Sequence, residues 1–380
     1  MNRPELSLAE HFQGVHDYRQ NHNKDYSLVE ILVVAVCCVI CGADNFTEIA
    51  VVGNEKLAWF RSFLALPNGI PSHDTFNRVF SRINPKEMQS CFVSWVKATF
   101  TADGPQQIAI DGKELHHSLD PDDDFANLRL ISAWSVEHGL VLGQVAVDDE
   151  SNEITAAPTI LQVVDVEGCD LTADALHCQT DFVEDVIDAK AAYTIAVKAN
   201  QKTLYNDILA TFAALPTQTA TELATYETIE KNHGRIETRR YSVTGDLRQL
   251  TTRDAWKGLQ SIGMVESERQ TGTKIERETR YYISSREANV QAFATRVRGH
   301  WQIENCLHWR LDVILDEDRA HIRVNHGPEN MAVLRHIAVN LLAHERSLKI
   351  GTQAKRLRAA CSNMYLEKVI KLSIPSIAAG

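Results

Sequence analysis

The apolar positions of this chain change period along its length. From Leu28 to Cys41 they are nearly continuous, and Ile31–Ala43 reads ILVVAVCCVICGA, 13 residues. At 1.5 Å per residue that is too short to cross a bilayer, so it predicts a helix buried within a core. A second helix is predicted over Asn54–Leu66. The breaker cluster Pro67-Asn68-Gly69-Ile70-Pro71 follows, and Ser72 stands as the N-cap of a short helix over Asp74–Arg82. Asn84-Pro85 breaks the chain again ahead of a helix over Lys86–Phe100. A turn with a capped short helix has the form of half a helix-turn-helix, and equally of the commoner helical hairpin.

After a linker at Thr101–Pro105 the pattern becomes β-like. Gln107–Asp111 (QIAID) predicts a short buried strand, and Leu128–Val136 with Leu140–Val147 a hairpin through His138-Gly139. A helix over Ile154–Val164, a strand over Cys169–Asp174, a helix over Thr180–Ala189 and a strand over Tyr193–Lys198 complete the order β-β-β-α-β-α-β. That order describes a mixed α/β (α+β) sheet of the ribonuclease-H type. Polar strand-like stretches follow at Thr225–Glu230, Arg235–Val243, Ile262–Glu268 and Glu276–Ser284, and the chain is helical after Glu287. The expected organisation is therefore a helical N-terminal region (1–100), the first part of an α/β core (106–217), a β-rich insertion (218–288) and a helical remainder with a basic tail (289–380).

Composition adds three constraints. With 380 residues, 44% hydrophobic and 23% charged, the chain can bury a large core and exceeds one average domain. Its eight cysteines are scattered. The lone C-x-x-C, Cys38 and Cys41, lies inside the apolar run, which points to core packing, and with no secretory pattern in Met1–Ala9 the chain reads as cytoplasmic. The net charge of −11, from 39 Lys+Arg and 50 Asp+Glu, argues at first against a polyanionic partner. The distribution weakens that argument: Arg319–Gly380 carries 10 Lys+Arg against 3 Asp+Glu, with Lys355, Arg356 and Arg358 clustered. Ligands sense the local field rather than the total.

Two acids end apolar strands, Asp111 in IAIDGK and Asp174 in LTADAL. An unpaired buried carboxylate costs several kcal/mol, so each implies a partner: a strand-end cap, a salt bridge, or a hard divalent ion between them. The segment HWQIENCLHWRLDV, His300–Val313, sets His300, Glu304, His308 and Asp312 at i, i+4, i+8 and i+12 on one helix face. The H-E-x-x-H pattern of two-histidine zinc helices is absent. A helix-borne Glu304 added to the strand-end aspartates would complete a three-acid site for two divalent ions. Asp316-Glu317-Asp318 reads as a solvated acidic loop or a stray ligand group.

These three acids, with this strand order and a β-rich insertion before the glutamate, resemble the DDE transposases of bacterial insertion sequences, and the H-repeat-associated group among them. The similarity extends over about residues 6–370 and rests on PNGIPSHDTFNRVFSRI (67–83), AIDGK (109–113), ESNEITAAP (150–158), TADALHCQ (172–179), AVKANQ (196–201), HGRIETR (233–239), RYYISS (280–285) and RGHWQIENCLHWRLDVILDEDRAHIR (298–323). The resemblance implies metal-dependent DNA strand cleavage and strand transfer. It makes Asp111, Asp174 and Glu304 the catalytic ligands of two Mg²⁺ or Mn²⁺ ions. It further implies a DNA partner, a dimer or larger assembly on DNA, and no membrane association. DNA contacts are expected from Lys113, Lys198, Asn200, Gln201, His233, Arg235, His300, Trp301 and His308. Trp301 would stack a base or pack the helix. Lys198, Asn200 and Gln201 also fit a plain strand-end turn, and His233, Arg235, Arg239 and Arg240 a solvated strand face.

The chain departs from its relatives at His116, Glu150, Thr180 and Ala199, where Arg, Lys, Lys and Gly are usual. None is an expected ligand, but up to three cations are lost near the site. Two rival readings follow: a two-metal nuclease that cuts without joining, and an inactive relic that only binds DNA. The charge distribution leads one to expect DNA binding that is weak without divalent metal and sensitive to salt.

Overall fold

Nine strands form one mixed sheet in the computed structural model, which describes residues 8–20, 24–100, 106–116, 118, 127–147, 153–214, 223–232 and 234–370. The strands are β1 (Gln107–Glu114), β2 (Arg129–Ser135), β3 (Leu140–Val147), β4 (Asp170–Ala173), β5 (Ala192–Val197), β6 (Ala224–Asn232), β7 (Arg235–Thr244), β8 (Ser261–Thr271) and β9 (Lys274–Ser284), in the spatial order β3-β2-β1-β4-β5-β9-β8-β7-β6. The first three are antiparallel, and β1, β4 and β5 run parallel. The mixed α/β class expected from the sequence forms. The β-rich stretch extends the same sheet, because β9 pairs with β5 from Thr194–Ser284 to Val197–Tyr281. The Thr101–Pro105 linker lies outside the described residues.

The helices are α1 (Leu8–Phe12), α2 (Leu28–Ile40), α3 (Phe46–Glu55), α4 (Leu57–Phe60), α5 (His73–Phe80), α6 (Pro85–Thr99), α7 (Glu153–Val163), α8 (Thr180–Asp188), α9 (Lys202–Ala214), α10 (Val290–Gln302), α11 (Trp309–Val313), α12 (Gly327–His344), α13 (Thr352–Cys361) and α14 (Asn363–Ile370). Caps expected from the sequence are made: Ser72 accepts from the Thr75 N–H, and Asn84 from the Lys86 N–H with Pro85 in the first turn. Every residue of α2 from Ile31 to Ile40 is buried. Cys38 and Cys41 are unpaired core residues, and burial pushes the Cys41 thiol up to about 12.

The single helix expected over Asn54–Leu66 does not form. The chain breaks at Lys56 (φ −103°, ψ 8°), whose Nζ is drawn to the Ala360 carbonyl and the Asn363 side chain, 2.9 Å from each. A buried ammonium must find acceptors, and here they are some 300 residues away in sequence.

The N-terminal helices share one core with α12 and the C-terminal helices. α12 is buried on all sides from Asn330 to Leu342, so each of its polar side chains must be matched within the protein. Asn330 donates to the carbonyls of Phe80 and Ile83. Asn340 exchanges both bonds with the backbone of Val141 in β3, at 2.8 Å.

Of the tail cations, Lys355 and Arg356 turn into the core, while Arg346, Lys349, Arg358 and Lys368 stay exposed. Arg356 is buried and donates to the carbonyls of Val39, at the end of α2, and Ile314, and to the Asp44 carboxylate. Lys355 is buried and donates to the carbonyls of Leu342 and Glu345 at the end of α12. Helix C-termini leave carbonyls unpaired and carry partial negative charge, so these cations act as internal caps. Arg358 remains at the surface, over the ring of Tyr365.

The extended part of the sheet is covered by α10. A Cβ on Gly263 in β8 would stand 2.2 Å from the Phe293 ring, so glycine is required where the helix crosses. Gly263→Ala should destabilise the protein by about 1–3 kcal/mol, because a packed ring in a full core cannot yield. Gly351→Ala, where nothing lies within 4 Å among the described residues but glycine caps the start of α13, should cost less, about 0.5–1 kcal/mol. Urea unfolding of the two variants beside wild type checks both.

Candidate active site

The parallel register of β1 and β4 runs from Gln107–Asp170 to Ile110–Ala173, so the next row of the register is Asp111 and Asp174. Asp111 stays in its strand opposite Ser132 and accepts from the Gly112 N–H at 3.0 Å. Asp174 leaves its strand and caps a 3₁₀ turn, Ala175–His177, by accepting from the Leu176 N–H at 3.0 Å. That turn is braced from the end of β5: Asn200 donates to the Ala175 carbonyl at 2.7 Å, and Gln201 to the Cys178 carbonyl at 2.9 Å. These two side chains were expected to meet DNA, and here they fix the loop that carries Asp174. Beneath it His177 is buried, with Nε2 4.0 Å from Asp174 and, among the described residues, no hydrogen-bond partner on either ring nitrogen.

Glu304 arrives on the far side by way of α10. Gly299 brings that helix against β1, where a Cβ would stand 2.3 Å from the Gln107 side chain. Gln107 donates to the Arg296 carbonyl at 2.6 Å and to Thr172 at 3.2 Å, and His300 Nδ1 lies 3.3 Å from the same Thr172 hydroxyl. α10 is thus clamped across β1 and β4 by neutral contacts. Beyond Gln302 the helix widens into a π-helical turn, Ile303–His308, a distortion that recurs at functional sites. Within it Glu304 Oε2 lies 2.9 Å from His308 Nδ1, and Asp111 Oδ2 lies 3.7 Å from that nitrogen. One ligand atom from each of Asp111, Glu304 and His308 lies within 4.8 Å of the others. Asp174 stands outside this group, although its charge acts on Asp111.

The expected face of His300, Glu304, His308 and Asp312 therefore divides among three partners. His300 reaches Thr172, Glu304 and His308 meet Asp111, and Asp312 pairs with Lys113 at 2.5 Å.

Electrostatics follow from burial and from crowding of like charge. Burial, then Asp174 and Glu304, push the Asp111 carboxyl up to about 6, with His308 opposing. Its hydrogen bond with His308 holds Glu304 below the usual range. Burial pushes His300 down to about 4, so it is neutral at pH 7. Glu153, at the start of α7, is a further acid here. Its carboxylate would be 2.5 Å from a Cβ on Gly112, and burial, with Asp174 and Glu114 nearby, raises its pKa against the pull of Arg129. The strand of Asp111 does not end on the acid as expected but pairs with β2 as far as Glu114; two carboxylates and an imidazole nitrogen converging on β1 form a donor set that fits a divalent cation.

Several expected DNA contacts lie elsewhere. Lys113 is buried among Asp312, Glu317 and Asp318, with Glu317 Oε2 at 2.7 Å, and does not face a ligand. Glu317 is accordingly 4% exposed rather than solvated, and Arg335 lies 3.5 Å from its other oxygen. His308 is 4% exposed and faces the acids instead of DNA. Lys198 is exposed on the turn after β5, and Arg235 is exposed at the start of β7. His233 and Glu150 lie outside the described residues. Trp301 is half-buried, with the Arg280 guanidinium 4.5 Å over its ring, in a cleft of about 780 Å³ between α10 and the extended sheet. The cleft is lined by Arg235, Arg239 and Arg298, but Glu230 pairs with the last two.

Sequence reasoning missed His177, the placement of Glu153 and the neutral clamp of Gln107, Thr172 and Gly299. Glu153, Thr172, His177 and Gly299 all lay in segments already singled out, and the partner glycine of Glu153 is in AIDGK, but nothing in the spacing pairs any of them.

Residues 9–96 match the model of the DDE_Tnp_1-associated family, and residues 102–341 match that of the transposase DDE domain. The H repeat-associated putative transposase YhhI of Escherichia coli K12 is 37% identical over 370 residues, covering 96% of this chain and 97% of the relative. Putative transposase YncI of Escherichia coli O157:H7 is 35% identical over 370 residues, covering 96% and 94%. With a matched domain over most of its length and relatives of this coverage, the chain belongs to the DDE transposase family, beside its H-repeat-associated proteins.

Proposed function

We propose that this chain is a DNA transposase that cuts at the ends of an insertion-sequence element and joins them to target DNA. Asp111, Asp174 and Glu304 hold two divalent ions, Mg²⁺ or Mn²⁺, in this reading. The observation that carries it is the approach of helix-borne Glu304 to Asp111 on β1, with Asp174 continuing the β1–β4 register beside it and its charge acting on Asp111. The order β3-β2-β1-β4-β5, with three antiparallel strands followed by two parallel ones, supports assigning residues 106–217 and 289–380 to a ribonuclease-H-like core. Residues 218–288 are then its insertion and 1–100 a DNA-binding region. The protein works in the cytoplasm at the nucleoid, as a dimer or larger assembly on DNA.

When bound, the metal ions neutralise the phosphate and polarise its oxygens and an attacking water. The protein's own part is positioning. Asn200 and Gln201 hold the turn of Asp174, the Gln107–Thr172 clamp sets the height of Glu304, and neutral His300 adds no charge beside them. Exposed Lys198 and Arg235 are free to meet phosphates. Cleavage needs a water and joining needs a DNA 3′-hydroxyl, so the same carboxylates serve both in-line displacements with no covalent protein–DNA bond.

Asp111→Asn, Asp174→Asn and Glu304→Gln should each lower end cleavage by at least about 10²–10³-fold, since each removes charge stabilisation at the reacting phosphate. Activity is read on DNA carrying the element's ends. Pre-cleaved ends offered to the wild type should be joined to a target plasmid. Cutting without joining would identify a nuclease, and unchanged activity in Glu304→Gln would refute the enzyme reading.

Asp111 also sets a pH dependence in metal-free protein. Its folded pKa, raised to about 6, lies above the ordinary value of about 3.9, so the folded state holds a proton that the unfolded chain loses between them. Stability in EDTA should therefore fall as pH rises from about 4 to about 6. Asp111→Asn should relieve that loss and stabilise the metal-free protein by about 1–3 kcal/mol at pH 7.5, with little effect at pH 4. Chemical denaturation at the two pH values checks the difference.

A further inference from the structure

We propose that His308 is itself a metal ligand, through Nδ1, so that one of the two ion positions is built from Asp111, Glu304 and an imidazole nitrogen. This rests on the metal-dependent reading above and adds a donor of different chemistry to it.

The geometry singles out Nδ1. It lies 2.9 Å from Glu304 Oε2 and 3.7 Å from Asp111 Oδ2, and the three donor atoms fall within 4.8 Å of one another. Neighbouring donors on a six-coordinate ion with bonds of about 2.1 Å lie about 3 Å apart, so small side-chain adjustments bring all three onto one ion. His308 cannot swing away to solvent: it is 4% exposed and fixed at the end of the π-helical turn that carries Glu304. The wider turn and the i, i+4 spacing point both side chains at Asp111. Glu304 approaches from the solvent side, its side chain 58% exposed, while His308 closes the inner wall.

Charge explains why an imidazole suits that wall. Asp111, Asp174 and Glu304 already crowd three carboxylates together, and a further acid in the most buried position would raise their repulsion. A neutral nitrogen adds a ligand without adding charge. To bind through Nδ1, the imidazole must carry its proton on Nε2, which is buried and has no hydrogen-bond partner among the described residues. Nitrogen donors favour the later transition metals over Mg²⁺, so the site should prefer Mn²⁺ to Mg²⁺ more strongly than an all-oxygen set.

The test uses the full chain with Mn²⁺ alone as the probe, and pulsed electron paramagnetic resonance as the readout. Wild type should bind Mn²⁺ and show hyperfine coupling to a directly bound ¹⁴N, which changes to the ¹⁵N pattern when histidine is ¹⁵N-labelled. In His308→Gln, shown to be folded by its urea midpoint, Mn²⁺ should still bind but the coupling should vanish. The ratio of Mn²⁺ to Mg²⁺ affinity should then fall about 10-fold. Mn²⁺ bound in an Asp111-dependent manner with no nitrogen coupling would overturn the role of His308 and leave the three-acid reading standing, as would a coupling that persists in His308→Gln. Failure of Mn²⁺ to bind in any Asp111-dependent manner would overturn both.

Discussion

Three carboxylates that repel one another cannot assemble their own site. Asp111, Asp174 and Glu304 gain nothing by approaching in the absence of a cation, and Asp174 and Glu304 add to the rise that burial imposes on the Asp111 pKa. Their approach is set largely by neutral groups, with Arg296 of α10 also 3.7 Å from Asp170 of β4. The β1–β4 register sets the two aspartates in one row. The contact of Gly299 with Gln107, and the shared Thr172 hydroxyl, lay α10 over those strands. Packing and backbone hydrogen bonding together store the electrostatic cost that a cation then relieves.

The same logic governs the cations. A chain with an excess of acids would be expected to leave its arginines and lysines free for a polyanion, yet many are engaged inside. Arg356 and Lys355 cap the ends of α2 and α12, Lys56 joins α3 to the C-terminal helices, and Lys113 with Arg335 flanks buried Glu317. These interactions bind the N-terminal helices, the sheet and the tail into one framework around α12. They also take Lys355 and Arg356 out of the tail's surface field, because a cation on a helix-end carbonyl in the core projects little charge to the surface, while Arg346, Lys349, Arg358 and Lys368 stay exposed. In the cleft beside α10, Glu230 partly neutralises Arg239 and Arg298.

Much of this was legible along the chain. The unbroken apolar run of α2 could only be a buried helix, and the cost of an unpaired carboxylate marked Asp111 and Asp174, although β1 runs on past Asp111 to Glu114 instead of ending on the acid. The misreadings share one cause. The helix expected over Asn54–Leu66 fails because Lys56 seeks acceptors on α13 and α14. Asn200 and Gln201 fit a DNA contact or a strand-end turn equally, because nothing nearby in sequence shows the carbonyls of Ala175 and Cys178 that they brace. Lys113 read as a phosphate contact because Glu317, 204 positions away, is invisible to local spacing.

By itself the sequence determined the mixed α/β class, the buried helix and the acids to watch, because periodicity and desolvation act over a few residues. Tertiary structure alone decided that His308 turns inward to Asp111, that Glu153 rests on Gly112, and that the four residues of one helical face part toward three partners. Those outcomes depend on a π-helical turn and on contacts between strands and helices far apart in the chain, where charge and shape are matched across space and leave no periodic trace.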